Sequence, residues 1–181
     1  MENPEPVRPE RSPQSDLEDM LPVYYTKRNL VFGCGNILIG DDGFGPKTIE
    51  YYHNHYTAPD DTALIDIGTS IRNILFDLIL SEDRPENIII IDAVDKDREP
   101  GEVFEIDIDD IPIVKLHDFS VHQVPTLNML KELRDLCGVN VTVLVCQVEH
   151  IPEEIAPGLT VTMEKAIPVM CERIKEKLDG F

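Results

Sequence analysis

The chain contains no tryptophan, and aromatic residues make up only 6% of it. Basic residues are also scarce: 16 Lys and Arg stand against 35 Asp and Glu, leaving a net charge of −19 over 181 residues. Nucleic-acid binding needs a basic surface to neutralise phosphates, so this balance excludes a nucleic-acid partner. No apolar run approaches the ~20 residues that cross a bilayer, and Met1 to Met20 lack the apolar core of a secretory signal, so the expectation is a cytoplasmic protein with no membrane contact. The four cysteines, Cys34, Cys137, Cys146 and Cys171, form no CxxC pair and no zinc-knuckle spacing. The last three read as reduced core residues, packing as small hydrophobes. Neither H-E-x-x-H nor G-x-S-x-G occurs, which removes the thermolysin-like protease and the serine hydrolase.

What is present is one domain's worth of alternating strand and helix patterns. Residues 1–22 carry prolines and charges with little apolar content, and read as a disordered or loosely packed extension; 23–181 form a single domain. Asn29–Cys34, Thr62–Ile67, Asn87–Ile91 and Val139–Val148 read as buried strands, and Glu102–Ile108 alternates like a half-exposed antiparallel edge strand. Gly43–Tyr56, Ser70–Leu80, Pro125–Cys137 and Thr160–Leu178 have helical spacing, with Ser70 placed as an N-cap. The alternation implies a twisted, mainly parallel sheet with helices on both faces. Ligands in such folds bind beyond the C-terminal strand ends, near the topological switch point.

The loop after the first strand, Gly33-Cys34-Gly35-Asn36-Ile37-Leu38-Ile39-Gly40-Asp41-Asp42-Gly43-Phe44-Gly45, is rich in glycine. It fits neither nucleotide fingerprint. The third glycine comes two places late for G-x-G-x-x-G, and Pro46 interrupts the phosphate-loop pattern before Lys47-Thr48, beside two acids. One of Asp41 and Asp42 suffices to cap the following helix, leaving the other to face a cation. Asp92 follows Ile88–Ile91 at the tip of a central strand, where packing has little use for a carboxylate. His122 precedes the third helix. Asp42, Asp92 and His122 together would offer two oxygens and one nitrogen to a metal with open positions, a set better suited to nickel or zinc than to magnesium.

These residues resemble the hydrogenase maturation endopeptidases. The resemblance is carried by Gly33-x-Gly35-Asn36-x-Leu38-x-x-Asp41-Asp42-Gly43-x-Gly45, Asp66-x-Gly68-Thr69, Asp92-Ala93, His122-Gln123 and Ile151-Pro152-Glu153, collinear over about residues 29 to 178. It implies an α/β fold of three layers, αβα, with a five-stranded sheet. It implies an aspartic-type, metal-assisted endopeptidase that removes the C-terminal peptide of a nickel-iron (NiFe) hydrogenase large-subunit precursor after metal loading. Asp42, Asp92 and His122 match the family's metal ligands, with Asp42 and Asp92 catalytic, and Asp66 matches a further acid. Gly33, Gly35, Asn36 and Asp41 belong to the same motif. Nickel is then recognised in the substrate, and zinc or cadmium could stand in for it in a crystal. Cys34, in Gly-Cys-Gly-Asn, and the stretch Val145-Cys146-Gln147 resemble the methanogen subgroup serving coenzyme F-420-reducing hydrogenases. The expected working form is a monomer. A non-catalytic nickel chaperone or hydrogenase subunit would use the same ligands.

Overall fold

The computed structural model describes residues 22–110 and 123–181. The expected extension over residues 1–22, Pro22 apart, and His122 lie outside the described residues. The chain runs β1 (Asn29–Cys34), α1 (Phe44–His55), β2 (Thr62–Gly68), α2 (Ile71–Leu80), β3 (Asn87–Val94), β4 (Val103–Ile106), α3 (Gln123–Asp135), β5 (Asn140–Gln147) and α4 (Val161–Asp179). The strands form one five-stranded sheet in the order β2-β1-β3-β5-β4. Four strands are parallel, and β4 pairs antiparallel with β5 at the edge.

The sheet separates two cores, and strand alternation decides which side chain joins which. On one face Val31, Ile89, Ile91 and Leu144 pack with Phe44, Ile49 and Tyr52 of α1 and with Met163, Met170 and Ile174 of α4. On the other, Leu30, Phe32, Ile88 and Ile90 pack with Leu75 and Leu78 of α2 and with Leu127, Leu130 and Leu133 of α3. This makes the three-layer αβα arrangement. The run Ile88–Ile91 is buried throughout because helices cover both faces of β3. Truncating one of these isoleucines to alanine should cost about 2–5 kcal/mol.

Boundaries differ from the sequence pattern at β3, β4 and the end of α3. β3 continues past Ile91 to Val94, so Asp92 lies within the strand, paired with Val145, rather than at its tip. β4 is shorter than the alternation over Glu102–Ile108: the Asp107 carboxylate accepts from the Asp109 N–H at 2.8 Å, and a 3-10 turn over Ile108–Asp110 replaces the strand. Cys137 falls beyond the end of α3 and is half-buried, whereas Cys146 and Cys171 are fully buried and all four thiols are unpaired. No described helix is long and apolar enough to cross a membrane.

At the N-terminal strand ends, side-chain amides form a chain across the sheet. Asn140 donates to Asn87 Oδ1 at 3.1 Å, Asn87 to Asn29 Oδ1 at 2.8 Å, and Asn29 to Thr62 Oγ1 at 3.3 Å. These residues are register partners in successive strand pairs, so the chain of bonds fixes the alignment of β5, β3, β1 and β2.

Candidate active site at the strand tips

β1 connects to β2 on one side of itself, while β3 lies on the other, so the crevice between β1 and β3 is the switch point of the sheet. Register brings three chemistry-bearing residues to its C-terminal rim. Gly33 pairs with Asp66 of β2 and with Ile91 of β3, so Cys34 and Asp92 follow one residue beyond that level, and Cys34, Asp66 and Asp92 all lie near the C-terminal ends of their strands.

Asp42 reaches the same rim from the glycine loop. Gly35 has φ +126°, and a Cβ there would lie 1.8 Å from the Asp42 carbonyl oxygen, so only glycine allows the loop to fold this tightly. The start of α1 comes equally close to the sheet: a Cβ on Gly45 would meet the Cys34 carbonyl oxygen at 2.2 Å and that of Ile91 at 2.7 Å. The Asn36 N–H donates to Asp42 Oδ2 at 2.7 Å, and the Leu38 N–H to Asn36 Oδ1 at 3.0 Å. An N–H that a phosphate would use is thus occupied by the protein's own carboxylate.

Neither acid of the pair caps α1, contrary to the expectation from sequence. Gly43 occupies the N-cap position, with no side-chain bond to the helix. Asp41 is fully buried and accepts from the backbone N–H groups of Glu149 (3.0 Å), His150 (2.9 Å) and Thr160 (2.7 Å), and from Thr160 Oγ1 (3.2 Å). It fastens the glycine loop to the chain that leaves β5 and enters α4. Ser70 likewise makes no capping bond through its hydroxyl. Asp66 is exposed, and its Oδ1 accepts from the Gly68 N–H at 2.9 Å in a tight turn.

Burial raises the Asp92 carboxyl to about 7; the Ala93 N–H, donating at 2.9 Å, pulls the other way, and the charge of Asp42 adds to the rise. Burial also raises Asp42, opposed by the Asn36 N–H. The Cys34 thiol is pushed well above its ordinary value by burial first, then by the charges of Asp92, Asp42 and Asp66, so it stays protonated and is a poor nucleophile. Among the described residues no three His, Cys, Asp or Glu side chains form a ready metal-ligand set. Asp42 and Asp92 provide two oxygen donors whose raised proton affinity a cation would offset.

Two cavities flank these acids. A polar cleft of about 510 Å³ runs from Asp42 between the chain after β3 (Lys96, Arg98) and the chain after β5 (Glu149, His150). A mainly apolar pocket of about 90 Å³ lies between Cys34, Asp92, Leu127 and Val145.

Comparison with known proteins decides what this arrangement belongs to. The family model for hydrogenase maturation proteases matches residues 46–177, well over half of the chain. The chain belongs to the hydrogenase maturation protease family. A candidate hydrogenase maturation protease of Methanocaldococcus jannaschii is 38% identical over 146 residues, covering 80% of this chain and 92% of that one. The coenzyme F-420 hydrogenase subunit delta of Methanothermobacter thermautotrophicus is 34% identical over 158 residues, 85% of this chain and 96% of the relative. Among solved structures, the hydrogenase maturating endopeptidase HybD of Escherichia coli superposes with a TM-score of 0.65 at 30% identity, over 84% of this chain and 93% of that one.

Two contributors to the site in this maturation protease escaped the sequence reading. Gln147, nearly fully buried at the end of β5, accepts from the Lys96 N–H at 2.8 Å and the Arg98 N–H at 3.3 Å, and donates to Asp95 Oδ1 at 3.0 Å. One side chain therefore shapes the whole turn that walls the polar cleft. Lys96 lines both cavities. Its position four residues beyond Asp92, on the functional edge of the sheet, was the available signal; for Gln147, the signal was a polar residue closing an apolar strand.

Proposed function

We propose that this maturation protease removes the C-terminal peptide of a nickel-iron hydrogenase large-subunit precursor after that subunit has received its nickel, acting as a monomer. The observation that carries the reading is the approach of Asp42 to Asp92 at the switch crevice of a family member, near enough for the charge of Asp42 to act on the Asp92 carboxyl. Among the described residues no cation pairs with Asp92. A metal carried in by the substrate would relieve that carboxyl, so affinity would depend on loading. Asp42, Asp92 and His122 are the proposed ligands, an incomplete set that the precursor's own ligands would finish.

In the proposed reaction the substrate's nickel polarises the scissile carbonyl. Asp92, or Asp42, takes a proton from water as its oxygen adds to the carbonyl carbon. The C–N bond then breaks, and the same carboxylic acid returns the proton to the departing amine. Asp66, exposed near the end of β2, is given no role in the reaction. The substrate is proposed to be the large subunit of a coenzyme F-420-reducing hydrogenase, supported by Cys34 and by the 34% identical relative of that name.

Incubation with nickel-loaded and metal-free precursor, read by intact-mass spectrometry, tests the proposal. Loss of a C-terminal peptide only from the loaded form is expected. The name of the subunit-delta relative favours a second reading, a non-catalytic hydrogenase-binding subunit. A stable complex with the precursor and no change in its mass would establish that reading instead.

A further inference from the structure

The loop that supplies Asp42 also carries an apolar surface that packing does not explain. Ile37 is 49% exposed and Leu38 46% exposed, and Ile155, from the segment between β5 and α4, is 71% exposed. These are three of the nine large hydrophobics exposed among the described residues. Leu38 and Ile155 are brought together by a short parallel bridge between Ile39 and Ala156, in which the Ala156 N–H donates to the Leu38 carbonyl at 3.0 Å and the Gly40 N–H to the Ala156 carbonyl at 2.9 Å; Ile37 extends the apolar surface from Leu38 toward Pro46 of α1. That register sets Leu38 opposite Ile155.

The surface is also held firmly. Asp41 ties its two segments through the N–H groups of Glu149 and His150, and the Asp42 N–H donates to the Ile39 carbonyl at 3.1 Å. A Cβ on Gly40 would lie 2.6 Å from Pro152 Cδ, so the two segments pack without a gap. An apolar strip on a braced backbone loses little entropy when covered, as a docking site requires. Glu153 and Glu154, next to Ile155 in the chain, are exposed, so the Ile155 end of the strip has an acidic rim.

We infer that Ile37, Leu38 and Ile155 form the docking surface for the body of the precursor protein, whose matching face is an apolar patch bordered by basic side chains. The inference rests on the proposed function, and deepens it by separating recognition of the folded precursor from recognition of its metal. The occupant follows from continuity: the strip is built on the same loop as Asp42, and Ile151, on its second segment, lines the cleft that Asp42 opens into. A protein seated there would deliver its C-terminal chain along the cleft. The acidic rim selects a basic border on the partner and disfavours a second copy of this chain, whose corresponding rim is equally acidic.

The test is precursor processing by wild type, Leu38→Asp, Ile155→Asp and the conservative Leu38→Met, with melting temperature and sedimentation measured for each. The aspartate variants should melt within a few degrees of wild type, because both side chains are largely exposed. They should raise KM for the loaded precursor at least about tenfold, with kcat at saturation within about threefold, while Leu38→Met stays near wild type. An unchanged KM in both aspartate variants overturns the inference. So does a wild-type dimer that the aspartate variants dissolve, which would make the strip a self-association surface. If wild type binds the precursor without cutting it, the proteolytic reading fails, and the same variants are read by precursor Kd: weakening of about tenfold supports the docking surface and an unchanged Kd overturns it.

Discussion

Asp42 and Asn36 are joined by a short hydrogen bond, the Asn36 N–H donating to Asp42 Oδ2 at 2.7 Å across the tight turn that Gly35 permits. One carboxylate oxygen is thereby committed to the loop, which orients the other for outside chemistry. Asp42→Asn keeps an oxygen that can accept from Asn36. The variant should fold with a melting temperature close to wild type while processing of loaded precursor falls by ~100-fold or more. Normal processing by Asp42→Asn would remove Asp42 from catalysis.

Asp92 should leave a signature in stability as well as rate. Its carboxyl is near 3.8 in the unfolded chain and about 7 in the fold. The native state therefore holds the extra proton between those values. The stability this group contributes is fully present below about pH 4 and is lost as pH rises to about 7, by at most ~1.4 kcal/mol per pH unit. Chemical denaturation of wild type and Asp92→Asn across pH 4 to 8 should show wild type losing stability relative to the variant up to about pH 7, with no further change above it. Processing by wild type should rise over the same range as the base ionises.

Asp41 has the opposite character, and its removal should damage the fold. Asp41→Ala would strand three buried or half-buried N–H groups and the Thr160 hydroxyl. At about 1–3 kcal/mol for each donor left without a partner, and allowing for partial hydration, a net loss of ~3–5 kcal/mol is expected in urea unfolding. The glycine loop should loosen first, seen as faster amide exchange at Glu149, His150 and Thr160.

The asparagine chain at the far edge of the sheet should matter to stability and leave the chemistry alone. Asn87→Ala removes the middle link, leaving the Asn29 oxygen and the Asn140 amide unpaired. A cost of ~2–4 kcal/mol is expected by thermal and urea unfolding. The strand length puts this change roughly 16 Å from the rim, so kcat measured well below the melting temperature should stay within about twofold of wild type.

The fold was readable because its signals are local and strong. The short, β-branched Ile88–Ile91 run is typical of a strand covered on both faces, and the buried stripe Met163, Ile167, Met170, Ile174 and Leu178 marks both the extent and the inner face of α4. The sequence pattern places Asp92 just past its strand, but β3 runs on to Val94; Asp92 reaches the rim because its neighbour β1 ends at Cys34. The division of labour between Asp41 and Asp42 was not readable, because adjacent identical residues differ only in tertiary partners. Those of Asp41 lie 108 to 119 residues away. The asparagine chain was hidden for the same reason: each asparagine reads as an ordinary strand start until register aligns them.

The central claim is that Asp42, Asp92 and His122 converge on one metal, and an anomalous-difference map from a crystal soaked in cadmium or nickel tests it most directly. The account predicts a single dominant peak at the β1–β3 crevice, bound by a carboxylate oxygen from each aspartate and an imidazole nitrogen of His122, at about 2.0–2.4 Å. A peak held by other residues, or an imidazole of His122 turned away from an ion bound between the two aspartates, would contradict it.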